Sequence, residues 1–140
     1  MRQLMTQVKG NRKLALLFIL LSIVWVGILF TESSQPPAKI MGEVYGLDKV
    51  AHFVAFGVLS VLLCLVSLSV RRKSKISFFS LPLLGIALLG LMEEGYQISV
   101  PGRSGSGIDL LADLLGGVAA IILVNAVIGI RKKYSQKDTA

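Results

Sequence analysis

Apolar residues along the chain fall into four long runs, separated by short polar stretches. The first spans Leu14 to Phe30, the second about Val50 to Val70, the third about Ile76 to Met92 (about 76–94 with its polar end), and the fourth about Ile108 to Ile130. None shows the strict alternation of a half-buried strand, and each is apolar all round, as a helix in lipid must be. A bilayer core of roughly 30 Å needs about 20 helical residues, within a range of about 17–25. The pattern predicts an all-α, polytopic membrane protein. It forms a four-transmembrane-helix bundle as one domain over 1–140. The third run contains Pro82. Membrane helices tolerate proline when neighbours satisfy the freed carbonyl, so a kink is expected there rather than a break.

The first run follows Lys9, Arg12 and Lys13, which fits a signal peptide. It is longer than the usual apolar region of about 7–15 residues, and the TESSQPPA stretch after it offers no convincing small-x-small cleavage site. An uncleaved anchor is expected.

The basic residues orient the bundle. Arg2, Lys9, Arg12 and Lys13 precede the first run. Arg71, Arg72, Lys73 and Lys75 lie between the second and third, and Arg131, Lys132, Lys133 and Lys137 follow the fourth. The other side has Lys39, Lys49 and Arg103. By the positive-inside rule both termini are cytoplasmic, N-in/C-in. The acids take the opposite side: of the eight, only Asp138 is on the inner face. Acids weigh little in setting topology, so their clustering calls for another reason.

Composition agrees with a membrane protein: 54% of residues are hydrophobic and 16% are charged. A net charge of +7 would suit nucleic acid. However, the bases flank apolar segments, which reads as topology signalling and contact with anionic lipid, with no nucleic acid partner. Cys64 is the single cysteine, so no intrachain disulfide framework exists. It sits in an apolar run and reads as a small packing residue.

This topology brings sequence-distant polar groups to one depth at the outer surface. The second helix begins with Asp48, Lys49 and His52, and the third ends with Glu93, Glu94 and Gln97. The fourth begins with Asp109 and Asp113, and Arg103 lies in the loop before it. Asp48 and His52 are i and i+4 and share a face, as do Asp109 and Asp113. Gly116 continues that last stripe and forms a small-xxx-small pair with Ala120, which admits a close neighbour. The acidic stripe should therefore face the bundle interior. Ionisable groups at such depth mark a functional site by default.

Each residue alone has a plainer reading. Asp48 and Lys49 suit an interfacial helix start, and Asp109 suits an N-cap after Gly107. A neutral, hydrogen-bonded His52 needs no function. Two acids at a helix C-terminus oppose its dipole, so Glu93 and Glu94 need a compensating partner, for which Arg103 is the obvious choice. Arg103 also suits lipid phosphate.

Asp48-Lys49-x-x-His52-x-x-x-Phe56 resembles the opening motif of VanZ-like membrane proteins. Glu94-x-x-Gln97, then Arg103, then Asp109 six residues later, resembles the second half of that signature. The likeness covers about Leu47 to Gly117. The family pattern usually has asparagine where this chain has Asp113. The resemblance implies a multi-pass protein of the bacterial cytoplasmic membrane and cell envelope. The family is named after a protein associated with resistance to the glycopeptide antibiotic teicoplanin, and antibiotic resistance comes to this chain only as an analogy.

Two function classes remain open. In the first, the cluster binds an envelope or lipid-linked precursor or anionic headgroup through Lys49, Gln97, Arg103, Asp109 and Asp113. In the second, it is the active site of a membrane enzyme acting on a lipid-linked or phosphate-bearing envelope substrate. There His52 acts as general acid or base, Asp48 orients it, and Glu94 assists it. Glu94 and Asp109 could then bind a divalent cation, but no metal-ligand pattern is read from the spacing, and one histidine with carboxylates is uncommon for zinc. Lipid phosphatases of the acid-phosphatase-like superfamily need two histidines, and this chain has one. Ser104 and Ser106 in Gly-Ser-Gly context read as flexible loop rather than as nucleophiles. The acids lie at the outer end, with no polar path inward, which disfavours a proton-coupled transporter. The pattern leaves cofactor and oligomeric state unassigned.

Overall fold

A computed structural model describes residues 11–70 and 80–137, without the side chains of 41, 42 and 130–137. The chain is all-α, as its periodicity predicts. Helix α1 spans Arg12–Ser33, the short α2 Lys39–Glu43, α3 Leu47–Val70, α4 Ser80–Gln97 and α5 Gly107–Lys137. Among the described residues three helices are long and apolar enough to cross a membrane: α1, α3 and the Gly107–Gly129 part of α5. Residues Arg2, Lys9, Arg71, Arg72, Lys73, Lys75 and Asp138 lie outside the described residues, as does the 76–79 start of the third predicted segment. The expected kink at Pro82 rests on the turn before it, which lies outside the described residues; Pro82 itself is buried in α4, two positions after Ser80.

Helix ends follow their capping chemistry. The Asn11 side chain accepts from the N–H of Lys13 at 3.1 Å and of Leu14 at 3.3 Å, satisfying two orphan donors of α1. Helix α5 starts at Ser106-Gly107, where Ser106 Oγ accepts from Asp109 N at 3.2 Å. Ser106 is thus the N-cap, and Asp109 is the residue three positions on, in the place a capping box reserves for an acid or amide. The loop before it turns through Val100-Pro101-Gly102-Arg103, closed by Arg103 N to Val100 O at 3.1 Å. Gly102 has φ +83°, the left-handed value that a Pro-Gly turn of this type requires.

Helix α3 is the centre of the bundle. It packs on α1, α4 and, most extensively, α5. The α3–α5 contact is backbone to backbone: a Cβ on Gly116 would overlap the Phe53 carbonyl, and Gly57 lies against Gly116 O. This is the close approach that small residues permit between membrane helices. Ser60 Oγ donates across the same seam to Gly117 O at 2.9 Å. The small apolar core is Phe56, Leu59 and Ile86, with Trp25, Leu63 and Leu114 packed around it. Large exposed apolar side chains cover the rest, including Leu16, Ile23, Leu84, Leu91, Ile122 and Leu123. Such a surface suits lipid and not water.

Candidate functional site

The polar residues collect at one end of the bundle, where α3 and α5 begin and α1 and α4 end. Two groups form there, with different chemistry.

The first group lies at the rim. Lys49 Nζ bonds Asp48 Oδ2 at 2.7 Å and Asp109 Oδ1 at 3.0 Å. The Lys49 and Asp48 side chains are 34% and 39% exposed. This ion pair ties the start of α3 to the start of α5. It also engages Lys49 with two carboxylates, so Lys49 is no free anion-binding group. Asp48 bonds Lys49 and not His52. The i, i+4 spacing does place both on one face, since both line the same cavity.

The second group is buried. His52 Nδ1 lies 2.9 Å from Asp113 Oδ1 and 3.6 Å from Glu93 Oε2. Asp113, and not Asp48, orients the imidazole. Asp113 is fully buried, and Glu93, Glu94 and Gln97 are each less than a tenth exposed. Gln97 Nε2 donates to Glu93 Oε1 at 2.7 Å, and Ser33 Oγ from α1 donates to that same oxygen. Ser106 N donates to Glu94 Oε2 at 2.5 Å. Glu94 thus sits against the N-terminus of α5, where free N–H groups and the helix dipole favour an acid. Gly90 leaves room for this packing: a Cβ there would stand 3.3 Å from Asp113 Oδ2.

Arg103 does not compensate these acids, nor does it bridge Glu94 and Asp109. Its Nε donates to Gln35 O and its Nη2 to Glu32 O, both at 2.8 Å. It therefore bonds one carbonyl in the last turn of α1 and one just past its end, a common use of a basic side chain. Ser33, Gln97 and the α5 N-terminus take the compensating role instead. Ser33 carried no signal in the sequence. Ser106 did carry one, the Ser106-x-x-Asp109 capping pattern, which the Gly-Ser-Gly context disguised as loose loop.

A cavity of about 300 Å³ adjoins both groups. Its polar wall includes Asp48, His52, Glu93 and Arg103, and its apolar wall includes Leu29, Pro36, Pro37, Ala55 and Phe56. The single tryptophan reports on that wall: Trp25 Nε1 donates to Ala55 O at 3.0 Å. The space is amphipathic, with an acid-rich floor and apolar sides. Four side chains could hold a metal ion: His52, Glu93, Glu94 and Asp113 each bring one donor atom within 4.8 Å of the others. Spacing alone did not reveal this set, because its members come from three helices.

Fold and site together define a helical membrane protein with a polar centre buried at one end of its bundle. A family model, VanZ/LLP1, matches residues 18–128, and the chain belongs to that family. The matched span contains every residue of both polar groups. No curated protein and no solved structure matches the chain.

Proposed function

We propose that this protein is a four-span envelope protein of the bacterial cytoplasmic membrane, with both termini inside. Its outer-face cavity binds the polar head of an envelope or lipid-linked anionic ligand. The α4 helix, with 18 residues and so about 27 Å long, reaches far enough to be the fourth span. The observation that carries the ligand reading is the amphipathic cavity. Its wall combines His52 and Arg103 with an apolar surface beside the lipid-facing helices, as a headgroup with an acyl chain requires. The two recorded Arg103 bonds use Nε and Nη2, which leaves Nη1 for an anionic oxygen. A role in glycopeptide (teicoplanin) resistance, which the family's name evokes, is the cellular form this reading would take.

Trp25 emission provides the test, in purified protein reconstituted in micelles. A short-chain anionic phospholipid should produce a saturable change through the Trp25–Ala55 contact, and a zwitterionic one of equal chain length should not. His52→Ala should abolish that change at unchanged abundance. Equal responses to both lipids would overturn the ligand reading. A reporter fused in the 71–75 segment should read cytoplasmic, and a periplasmic signal would overturn the orientation.

The alternative, an enzyme acting on a lipid-linked or phosphate-bearing substrate, is favoured by one feature. The His52–Asp113 pair at 2.9 Å is the arrangement that fixes an imidazole for proton transfer. Turnover of a lipid-linked diphosphate that depends on His52 would separate this alternative from simple binding.

A further inference from the structure

Three carboxylates in the buried group divide their oxygens in the same way. Glu93 anchors Oε1 on Gln97 and Ser33, Glu94 anchors Oε2 on Ser106 N, and Asp113 anchors Oδ1 on His52. Each then has one buried oxygen without a hydrogen-bond partner: Glu93 Oε2, which stands 3.6 Å from His52 Nδ1, Glu94 Oε1 and Asp113 Oδ2. Buried carboxylate oxygens are rarely left unsatisfied, because desolvation is costly without a bond or a counter-charge. Among the described residues one imidazole, His52, stands against three acids, 2.9 Å from Asp113 Oδ1 and 3.6 Å from Glu93 Oε2, and no lysine or arginine joins it. Lys49 is held by Asp48 and Asp109, and Arg103 is turned to the carbonyls of α1.

From this the geometry points to a divalent cation site formed by His52, Glu93, Glu94 and Asp113. Their donor atoms all lie within 4.8 Å of one another. Donors on opposite sides of a cation with bonds of about 2.1–2.4 Å stand roughly 4.2–4.8 Å apart, so the spread fits a single ion. The hydrogen bonds from Gln97, Ser33 and Ser106 hold the carboxylates by one oxygen and present the other, the usual outer-shell arrangement around a metal. Three carboxylate oxygens with one imidazole select an ion that accepts both donor types, such as Mn²⁺ or Zn²⁺, over one that takes oxygen alone. His52 and Glu93 also line the cavity, so the ion is reachable from it. The site deepens the proposed ligand reading, and rests on it only for the next step. There a bound cation offers a coordination position to an anionic oxygen of the ligand, in a pocket whose own acids would otherwise repel it.

Mn²⁺ alone is the probe. Chelator-treated full-length protein in micelles should bind one Mn²⁺ per chain by electron paramagnetic resonance titration. The pulsed spectrum should carry nitrogen coupling from His52. Glu93→Gln and Asp113→Asn should each weaken binding by at least about tenfold. Glu43→Gln, an exposed acid elsewhere, should leave it unchanged. The wild-type titration and its nitrogen signal stand even where a variant folds poorly. The site is overturned if wild-type protein fails to bind Mn²⁺ and Zn²⁺ below about 1 mM, a weak limit for protein cation sites. It is likewise overturned if bound Mn²⁺ shows no nitrogen coupling. Because these titrations contain no lipid, cation binding without any Trp25 response to anionic lipid would sink the ligand reading and leave the cation site standing.

Discussion

The rim and the buried group are built from the same residue types, about one helical turn apart, and they behave as opposites. At the rim one lysine faces two acids, and its ammonium keeps contact with water although Asp109 is buried. Below it one histidine faces three acids, and each acid keeps an oxygen that no hydrogen bond satisfies. Water separates the two cases. An exposed ion pair is screened, and its loss is repaired by solvent, so its net worth is about 0–1 kcal/mol. A buried polar network has no such repair and is costly whenever incomplete. A deficit retained at the fully buried position points to a binding demand, since a purely structural network would close on itself.

The largest effect should come from Asp113→Ala. It strips His52 of its acceptor and opens a space in the fully buried part of the bundle. We expect a loss of about 1–3 kcal/mol in unfolding stability, measured in micelles without added cation. Asp113→Asn keeps a carbonyl acceptor for the imidazole and should cost less than the alanine variant. Equal stability of the alanine variant and wild type would mean the buried group is not a network at all.

Much of this arrangement was legible in the sequence. The four apolar runs foretold the helices, and the spacing of Asp109, Asp113 and Gly116 foretold the inward stripe of α5, which Gly116 meets by touching the Phe53 backbone. The i, i+4 rule placed Asp48 and His52 on one face, and both line the cavity, but a shared face is not a bond. Lys49 competes for Asp48 from the next position, while Asp113 reaches His52 from another helix. Glu93 was harder still: beside Glu94 in sequence, it turns to Gln97 and Ser33 while Glu94 turns to Ser106, and no local pattern distinguishes the two. Arg103 misled because formal charge made it the natural mate of two glutamates. Carbonyls around the end of α1 attract a guanidinium as well, and they are invisible until the helix end is located.

Arg103→Ala comes next in size. It removes two hydrogen bonds, both to carbonyls at the end of α1, and neither reaches the buried acids. The expected cost is about 1 kcal/mol, below that of Asp113→Ala, because both bonds are exposed and each falls at the low end of roughly 0.5–1.5 kcal/mol. Hydrogen exchange should rise at residues 30–35 with little change around His52 and Asp113. If exchange instead rose first around Glu93 and Glu94, Arg103 would be their counter-charge after all, and the buried acids would not depend on His52 alone.

The smallest effect belongs to Lys49→Ala, and it is the variant that tests the contrast most directly. It leaves Asp48 and Asp109 facing each other without their shared cation, which on paper is the loss of two salt bridges. Partial exposure discounts both. Lys49 and Asp48 are about a third exposed, so water replaces the ammonium at Asp48. Asp109 is more enclosed but keeps its place in the first turn of α5, where the helix N-terminus favours an acid. The cost should be under about 1 kcal/mol, and smaller still in high salt as screening removes the residual attraction. Mn²⁺ affinity should be nearly untouched, since the ammonium bonds neither Glu93, Glu94 nor Asp113. A loss comparable to that of Asp113→Ala, insensitive to salt, would show that Lys49 acts in a dry environment. The rim and the buried group would then be a single network, with its charges shared across both.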